Sequence, residues 1–254
     1  LQWPAMSPSA AEDMLPRPIA IEAAAARPDD LLQTEWLLTN SIGAYASGSV
    51  SGANTRRYHG LLVAATQPPV GRLMALSALL DELTAPDGAG GEATFPLATF
   101  EFDGVVKPDA RGHLAEFRDD LAATWRFRCG QSELVREVIL AESANAVCIR
   151  YRLLAGPPGR LRLRPFVALR DVHHLGSEAG RRMTYLHYHD GIRVEDRADA
   201  TRGLHLSVLP NAAFEGEPQW WRRFRYRTDL ARGQDGHEDI YTPGAFEVEL
   251  ADEP

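Results

Sequence analysis

From Tyr58 onward the chain alternates apolar and polar residues in short runs, and this period of two is the feature that most restricts its fold. Successive side chains on a strand point to opposite faces, so each run has one face to bury and one wet face. Trp125, Phe127 and Cys129 alternate with Arg126 and Arg128, and Val147, Ile149, Tyr151 and Leu153 with Cys148, Arg150 and Arg152. The pattern recurs at Leu161/Leu163, Leu204/Leu206/Val208, Phe224/Tyr226 and Phe246/Val248/Leu250. Turn formers separate the runs: Asp87-Gly88, Asp103-Gly104, Gly156-Pro157-Pro158-Gly159, Asp190-Gly191 and Asp235-Gly236. Such spacing predicts an all-β fold, a large antiparallel two-sheet sandwich with few helices.

The first half of the pattern is less regular. Residues 1–30, rich in proline, read as a flexible N-terminal arm, and 31–254 as one β-sandwich domain. Ala20 to Ala26 predicts a short helix ended near Pro28, and Leu31 to Leu38 a strand. The chain starts at Leu1 and ends directly on a strand-like segment; such ends suggest an excised piece or a processed form, with the front of something longer as a further reading. Residues 40–54 are almost all small or amide-bearing and read as a loop that admits a ligand or another backbone at close range.

Composition narrows the classes of partner. Lys+Arg number 27 and Asp+Glu 35, a net charge of −8, which disfavours nucleic acid. The longest nearly uncharged apolar stretch, Leu73 to Leu80, is far short of the ~20 residues that cross a bilayer, so no membrane partner is expected. Cys129 and Cys148 lack a CxxC or Cys/His spacing, which leaves a zinc site or disulfide framework unsupported and favours a reduced, cytoplasmic setting. No sequence feature requires a metal or cofactor.

The densest site-like stretch runs from Glu35-Trp36 to His59. Sugar sites combine an aromatic ring against the apolar pyranose face with polar groups on the hydroxyls, and Trp36, Tyr45, Arg56, Arg57, Tyr58 and His59 are the right residue types. The bland reading gives these arginines structural ion pairs and has Tyr58 and His59 cap a strand. A second candidate is Arg170-Asp171-Val172-His173, where period two places Asp171 and His173 on one face as a carboxylate–imidazole pair. His187 and His189 read as surface or packing histidines. Glu238 and Asp239 are adjacent, so they point to opposite strand faces and cannot jointly flank one bond. No phosphate loop, GxSxG elbow or HExxH motif is present.

Together these segments resemble the N-terminal domain of bacterial and archaeal glycogen debranching enzymes, the amylo-α-1,6-glucosidase family. The resemblance rests on Glu35-Trp36-Leu37-Leu38-Thr39-Asn40, Gly43, Tyr45-Ala46-Ser47-Gly48, Gly52 and Thr55-Arg56-Arg57-Tyr58-His59-Gly60. It continues through Arg170-Asp171-Val172-His173 and Glu238-Asp239 to Pro243-Gly244-Ala245-Phe246, and covers about residues 31 to 251. The family usually has glycine where this chain has Ser41 and Ala44; if those positions need φ > 0, the segment must rearrange.

The resemblance implies a galactose-mutarotase-like β-supersandwich that precedes a helical barrel carrying the two catalytic carboxyls. This chain alone is then expected to be catalytically silent, with no catalytic residue of its own. A self-sufficient glycosidase drawing on Glu35, Asp81, Glu82, Asp171 or Glu238 has no supporting pattern. The implied partners are α-glucan and the C-terminal barrel. Trp36, Asn40, Tyr45, Arg56, Arg57, Tyr58 and His59, with Asp171 and His173, are the substrate-binding or domain-interface candidates. The competing expectation is a purely structural scaffold without sugar affinity.

Overall fold

A computed structural model describes residues 19–22, 26–67, 70–210 and 212–251. Strand makes up 61% of it and helix 6%, which fixes the class as all-β. The strands are β1 (Ile19–Glu22), β2 (Glu35–Thr39), β3 (Tyr45–Ser49), β4 (Gly60–Gln67), β5 (Gly71–Pro86), β6 (Glu92–Pro96), β7 (Glu101–Phe102), β8 (Val105–Val106) and β9 (Leu114–Asp119). They continue as β10 (Ala123–Cys129), β11 (Ser132–Leu140), β12 (Val147–Ala155), β13 (Gly159–Asp171), β14 (Met183–Tyr188), β15 (Gly191–Asp196), β16 (Asp199–Leu206), β17 (Ala213–Arg225) and β18 (His237–Leu250).

Two antiparallel sheets form the sandwich. One has five strands in the order β1-β9-β10-β11-β12; the other has eight, β17-β18-β13-β5-β4-β3-β2 with β6 also on β5. Their inner faces meet in one core. Phe117, Trp125, Phe127, Leu134 and Val138 come from the smaller sheet, and Leu38, Leu62, Leu83, Leu161 and Leu163 from the larger. The alternation at 123–129 is reproduced residue by residue: Trp125, Phe127 and Cys129 are buried, Arg126 is half-buried and Arg128 exposed. Burial, reinforced by the nearby charge of Asp81, pushes the Cys129 thiol up to about 12, so it sits in the core as an inert thiol. A three-stranded sheet, β14-β15-β16, adds Ile192, Val194 and Leu204 to the same core.

The large sheet is apolar on its outer face too. Ala78, Leu80, Phe166, Phe224 and Ile240 from its strands cluster there with Ala98 and Phe100 from the segment between β6 and β7. Phe166 packs edge-on against Phe100 and Phe224, each with centroids 5.3 Å away. A strand covered on both sides has no wet face, so β5 reads as the continuous run Leu73 to Leu80 instead of alternating. No helix among the described residues is long and apolar enough to cross a membrane.

Two local expectations fail near the start. Residues 19–22 are strand, not helix, because Ile21 pairs opposite Phe117 and packs on the core. Pro28 opens a helix, Pro28–Gln33, instead of closing one: it sits in the first turn, where its missing N–H costs nothing, with Asp29 and Asp30 at the positive end of the helix dipole. That helix takes Leu31 and Leu32, so the strand expected from Leu31 begins only at Glu35. Of the expected arm, residues 1–18 and 23–25 lie outside the described residues.

Candidate functional site

The segment 40–54 is not an open loop. Its centre is β3, paired with both β2 and β4, and Ala46 through Ser51 are all buried. Its backbone turns at Gly43 and Gly52, both at φ 86°, and neither Ser41 nor Ala44 has a positive φ. The two departures from glycine are therefore accommodated without strain.

Three chain segments converge at one end of the large sheet: 55–60 before β4, 171–176 after β13, and 226–236 before β18. A buried ion pair joins them. Arg170 binds both carboxylate oxygens of Glu238, with Nη2 2.9 Å from Oε2 and Nε donating to Oε1. Neither side chain exceeds 3% exposure, so each charge depends on the other. Arg170 Nη2 also donates to the Arg57 carbonyl at 2.8 Å and Nη1 to the Val172 carbonyl at 3.2 Å. Glu238 in turn accepts from the Gly176 N–H at 2.8 Å and from the Tyr226 hydroxyl. Burial, and then the Glu238 charge, holds the Tyr226 phenol well above its ordinary pKa. A bulge in β13 aims Arg170 at this junction: Leu169, at φ 43°, breaks the register against β5 between Val167 and Arg170.

The candidate residues divide according to what they touch. Trp36 lies in the core, 3% exposed, with its indole N–H on the Ser49 carbonyl at 3.2 Å and its ring edge-on to Trp125. Asn40 ties the β2–β3 turn to the β11–β12 turn: its Nδ2 donates to the Ala141 and Ala144 carbonyls at 2.7 and 3.0 Å, and its Oδ1 accepts from the Ala44 N–H. Tyr45 donates to the Tyr58 carbonyl at 2.9 Å, and burial pushes its phenol up to about 12. Arg57 is held by Asp229, which accepts from its backbone N–H at 2.8 Å, and its guanidinium donates to the carbonyls of His173 and Asp235.

Arg56 and the buried His59 both address Glu35. Arg56 Nε is 2.6 Å and His59 Nε2 3.6 Å from Glu35 Oε1. His59 Nδ1 accepts from the Thr55 N–H at 3.1 Å, which leaves the ring proton on Nε2, facing the carboxylate. The hydrogen bond from His59, with help from Arg56 and against partial burial, lowers the Glu35 pKa from 4.5 to about 2. A carboxylate depressed in the folded state adds stability above its unfolded pKa and loses it as pH falls toward the folded one. The stability difference between the wild type and Glu35→Gln is thus expected to be full above pH 4.5 and to shrink as pH falls toward about 2. Thermal unfolding across that window checks it, and a difference independent of pH would refute the assignment.

Tyr58 is different. It is 40% exposed, and its ring stands edge-on to His173 at 5.8 Å, with its hydroxyl 3.4 Å from His173 Nδ1. The expected Asp171–His173 side-chain pair is not formed. β13 ends at Asp171, so period two does not extend to 173; Asp171 Oδ1 instead accepts from the His173 backbone N–H at 2.8 Å and faces His174 Nδ1 at 3.4 Å.

A family description reading "Glycogen debranching enzyme N terminal" matches residues 34–253. The chain belongs to this family. A search among curated proteins finds no match. In this debranching-enzyme N-terminal domain the match takes in all three converging segments. Of the residues that hold them, Arg170, Tyr226 and Glu238 stand in motifs that the sequence singles out, but their mutual pairing and the part played by Asp229 escaped sequence reasoning, although Arg170 directly follows the apolar Val167-Ala168-Leu169, where an arginine needs a buried partner. Among the described residues no group of three or more His, Cys, Asp or Glu side chains is placed to hold a metal ion.

Proposed function

We propose that residues 31–254 form the non-catalytic front of a glycogen debranching enzyme, in which the exposed Tyr58–His173 pair contacts α-glucan and the domain supports a C-terminal amylo-α-1,6-glucosidase barrel. The observation that carries the sugar contact is the exposure of Tyr58. Of the nominated Trp36, Tyr45 and Tyr58, Tyr58 is the one whose residue is open to solvent, on a loop pinned by the Arg170–Glu238 pair. A pinned ring loses little freedom on stacking against a pyranose, and a polar rim of His173, Asp171 and His174 lies beside it. In this reading the two carboxyls of the inverting reaction, about 6.5–9.5 Å apart, belong to the barrel. Asp81 and Glu238, two of the acids available here, are already committed to buried arginines. A cytoplasmic location accords with two free cysteines, one buried and one exposed.

A scaffold without sugar affinity is the second reading. It is favoured by Asn40, Arg56, Arg57 and His59, each of whose side chains has at least one polar partner within the domain. Titration calorimetry with maltoheptaose and panose separates the two. Saturable heat is expected from the wild type, weakened roughly tenfold in Tyr58→Ala with unchanged folding. No heat from the wild type up to millimolar sugar would support the scaffold. Trp36→Ala is a poor probe, because the hole it leaves in the core would confound binding with folding.

A further inference from the structure

The two sheets are joined through their core by a second buried ion pair. Asp81 on β5 is fully buried and lies 3.0 Å from Arg136 Nη1 on β11. Tyr151 on β12 donates to the same carboxylate at 2.7 Å, and Arg136 Nη1 also reaches the Leu97 carbonyl at 3.2 Å. The guanidinium carbon sits 4.2 Å over the Trp125 ring. Arg136 Nε, on a side chain only 7% exposed, is buried without a protein acceptor.

Arg136 also lines a cavity of about 20 Å3, together with Ser49, Asn54, Ser77, Trp36 and Trp125. The topology explains the space. β4 begins at Gly60, opposite Ser47, so beyond that point no strand fills the gap between Ser49 on β3 and Ser77 on β5. Asn54 partly bridges it, donating to the Ser77 carbonyl at 3.0 Å. The run of small residues at 46–54 is what keeps the gap from being filled: a Cβ on Gly48 would lie 3.2 Å from the Trp36 indole nitrogen.

A buried donor without an acceptor costs about 1–3 kcal/mol, and native proteins ordinarily satisfy such groups with protein or ordered water. One water needs roughly 10–15 Å3 and two to four polar partners. The cavity meets both conditions. We infer that it is a binding site for a single long-lived water, which accepts from Arg136 Nε and donates to the serine hydroxyls around it. An anion is a poor occupant, since the Asp81 carboxylate already neutralises the guanidinium. The small, hydroxyl-rich segment thus serves an internal hydrated ion pair that locks one sheet to the other.

The test uses the full, 15N-labelled chain. The Arg136 Nε–H resonance, identified through its own side-chain connectivity, is expected to show a cross-peak to water of opposite sign in NOESY and ROESY spectra, the mark of a bound water rather than proton exchange. A crystal structure is expected to show density within hydrogen-bond distance of Nε. A resolved, exchange-protected Nε–H with no water cross-peak would overturn the inference, as would density that shows the cavity empty or Nε turned onto a protein acceptor.

Discussion

Glu238→Gln is expected to cost about 3–5 kcal/mol of folding stability, because it leaves the Arg170 guanidinium buried without a counter-charge. Both side chains are almost completely buried, so solvent cannot take over the role of the carboxylate. In a chain of this size the loss corresponds to a fall of roughly 10 °C in Tm. The effect should reach the surface as well, since Arg170 holds the Arg57 carbonyl and Glu238 the Gly176 amide. Amides at 55–60 and 171–176 are therefore expected to exchange faster in the variant than those of the distant β10–β11 hairpin. A double replacement, Arg170→Met with Glu238→Leu, should recover much of the stability, because an apolar pair of similar volume carries no desolvation cost. Glu238→Gln unfolding within ~1 kcal/mol of the wild type would show that the pair is not the clamp described above.

Asp81→Asn should be comparably damaging, again about 3–5 kcal/mol, for a different structural reason. The Asp81–Arg136 pair spans the interface between the sheets, so its loss weakens the docking of one layer on the other. Tyr151 can still donate to an asparagine oxygen, and the deficit isolates the missing charge. The comparison variant is Glu215→Gln, which removes an equally visible ion pair with Arg162 on the solvent side of the large sheet. There both groups are well exposed, at 37% and 64%, and unfolding should be almost unchanged. Chemical denaturation of the two variants side by side decides the matter: similar midpoints would mean that the buried pair contributes no more than a surface one.

Much of the architecture is legible without coordinates because strand alternation is a local property. The face of β10 that is buried follows from Trp125, Phe127 and Cys129 alone, and the same holds for Leu161 and Leu163 on β13. Legibility fails where a strand is covered on both faces, as at β5, and where a few residues choose between helix and strand. Ile19–Glu22 precedes the alanine run 23–26 that suggested a helix, yet is a strand because β9 offers it an edge to pair with and Phe117 a place to pack. Propensity over four residues is too weak to resist that.

The candidate site divides in the same way. The concentration of aromatic and polar residue types at 55–59 is visible in the sequence, and so is the Asp171–His173 element, though its side-chain pairing is not. Whether a ring is buried or open depends on what the rest of the chain lays over it: Trp36 is sealed by Trp125, 89 positions away in the numbering, whereas among the described residues the ring partner of the exposed Tyr58 is His173.

By itself, then, the sequence determined the all-β class, most strand faces and the family, because each is encoded in residues close together along the chain. The tertiary structure alone decided which acids meet which arginines. With 35 acidic and 27 basic residues, pattern cannot single out Glu238 for Arg170 or Asp81 for Arg136. Those pairings exist only where the folded sheets shield both partners from bulk solvent, and burial of that kind is a property of the assembled core rather than of any segment.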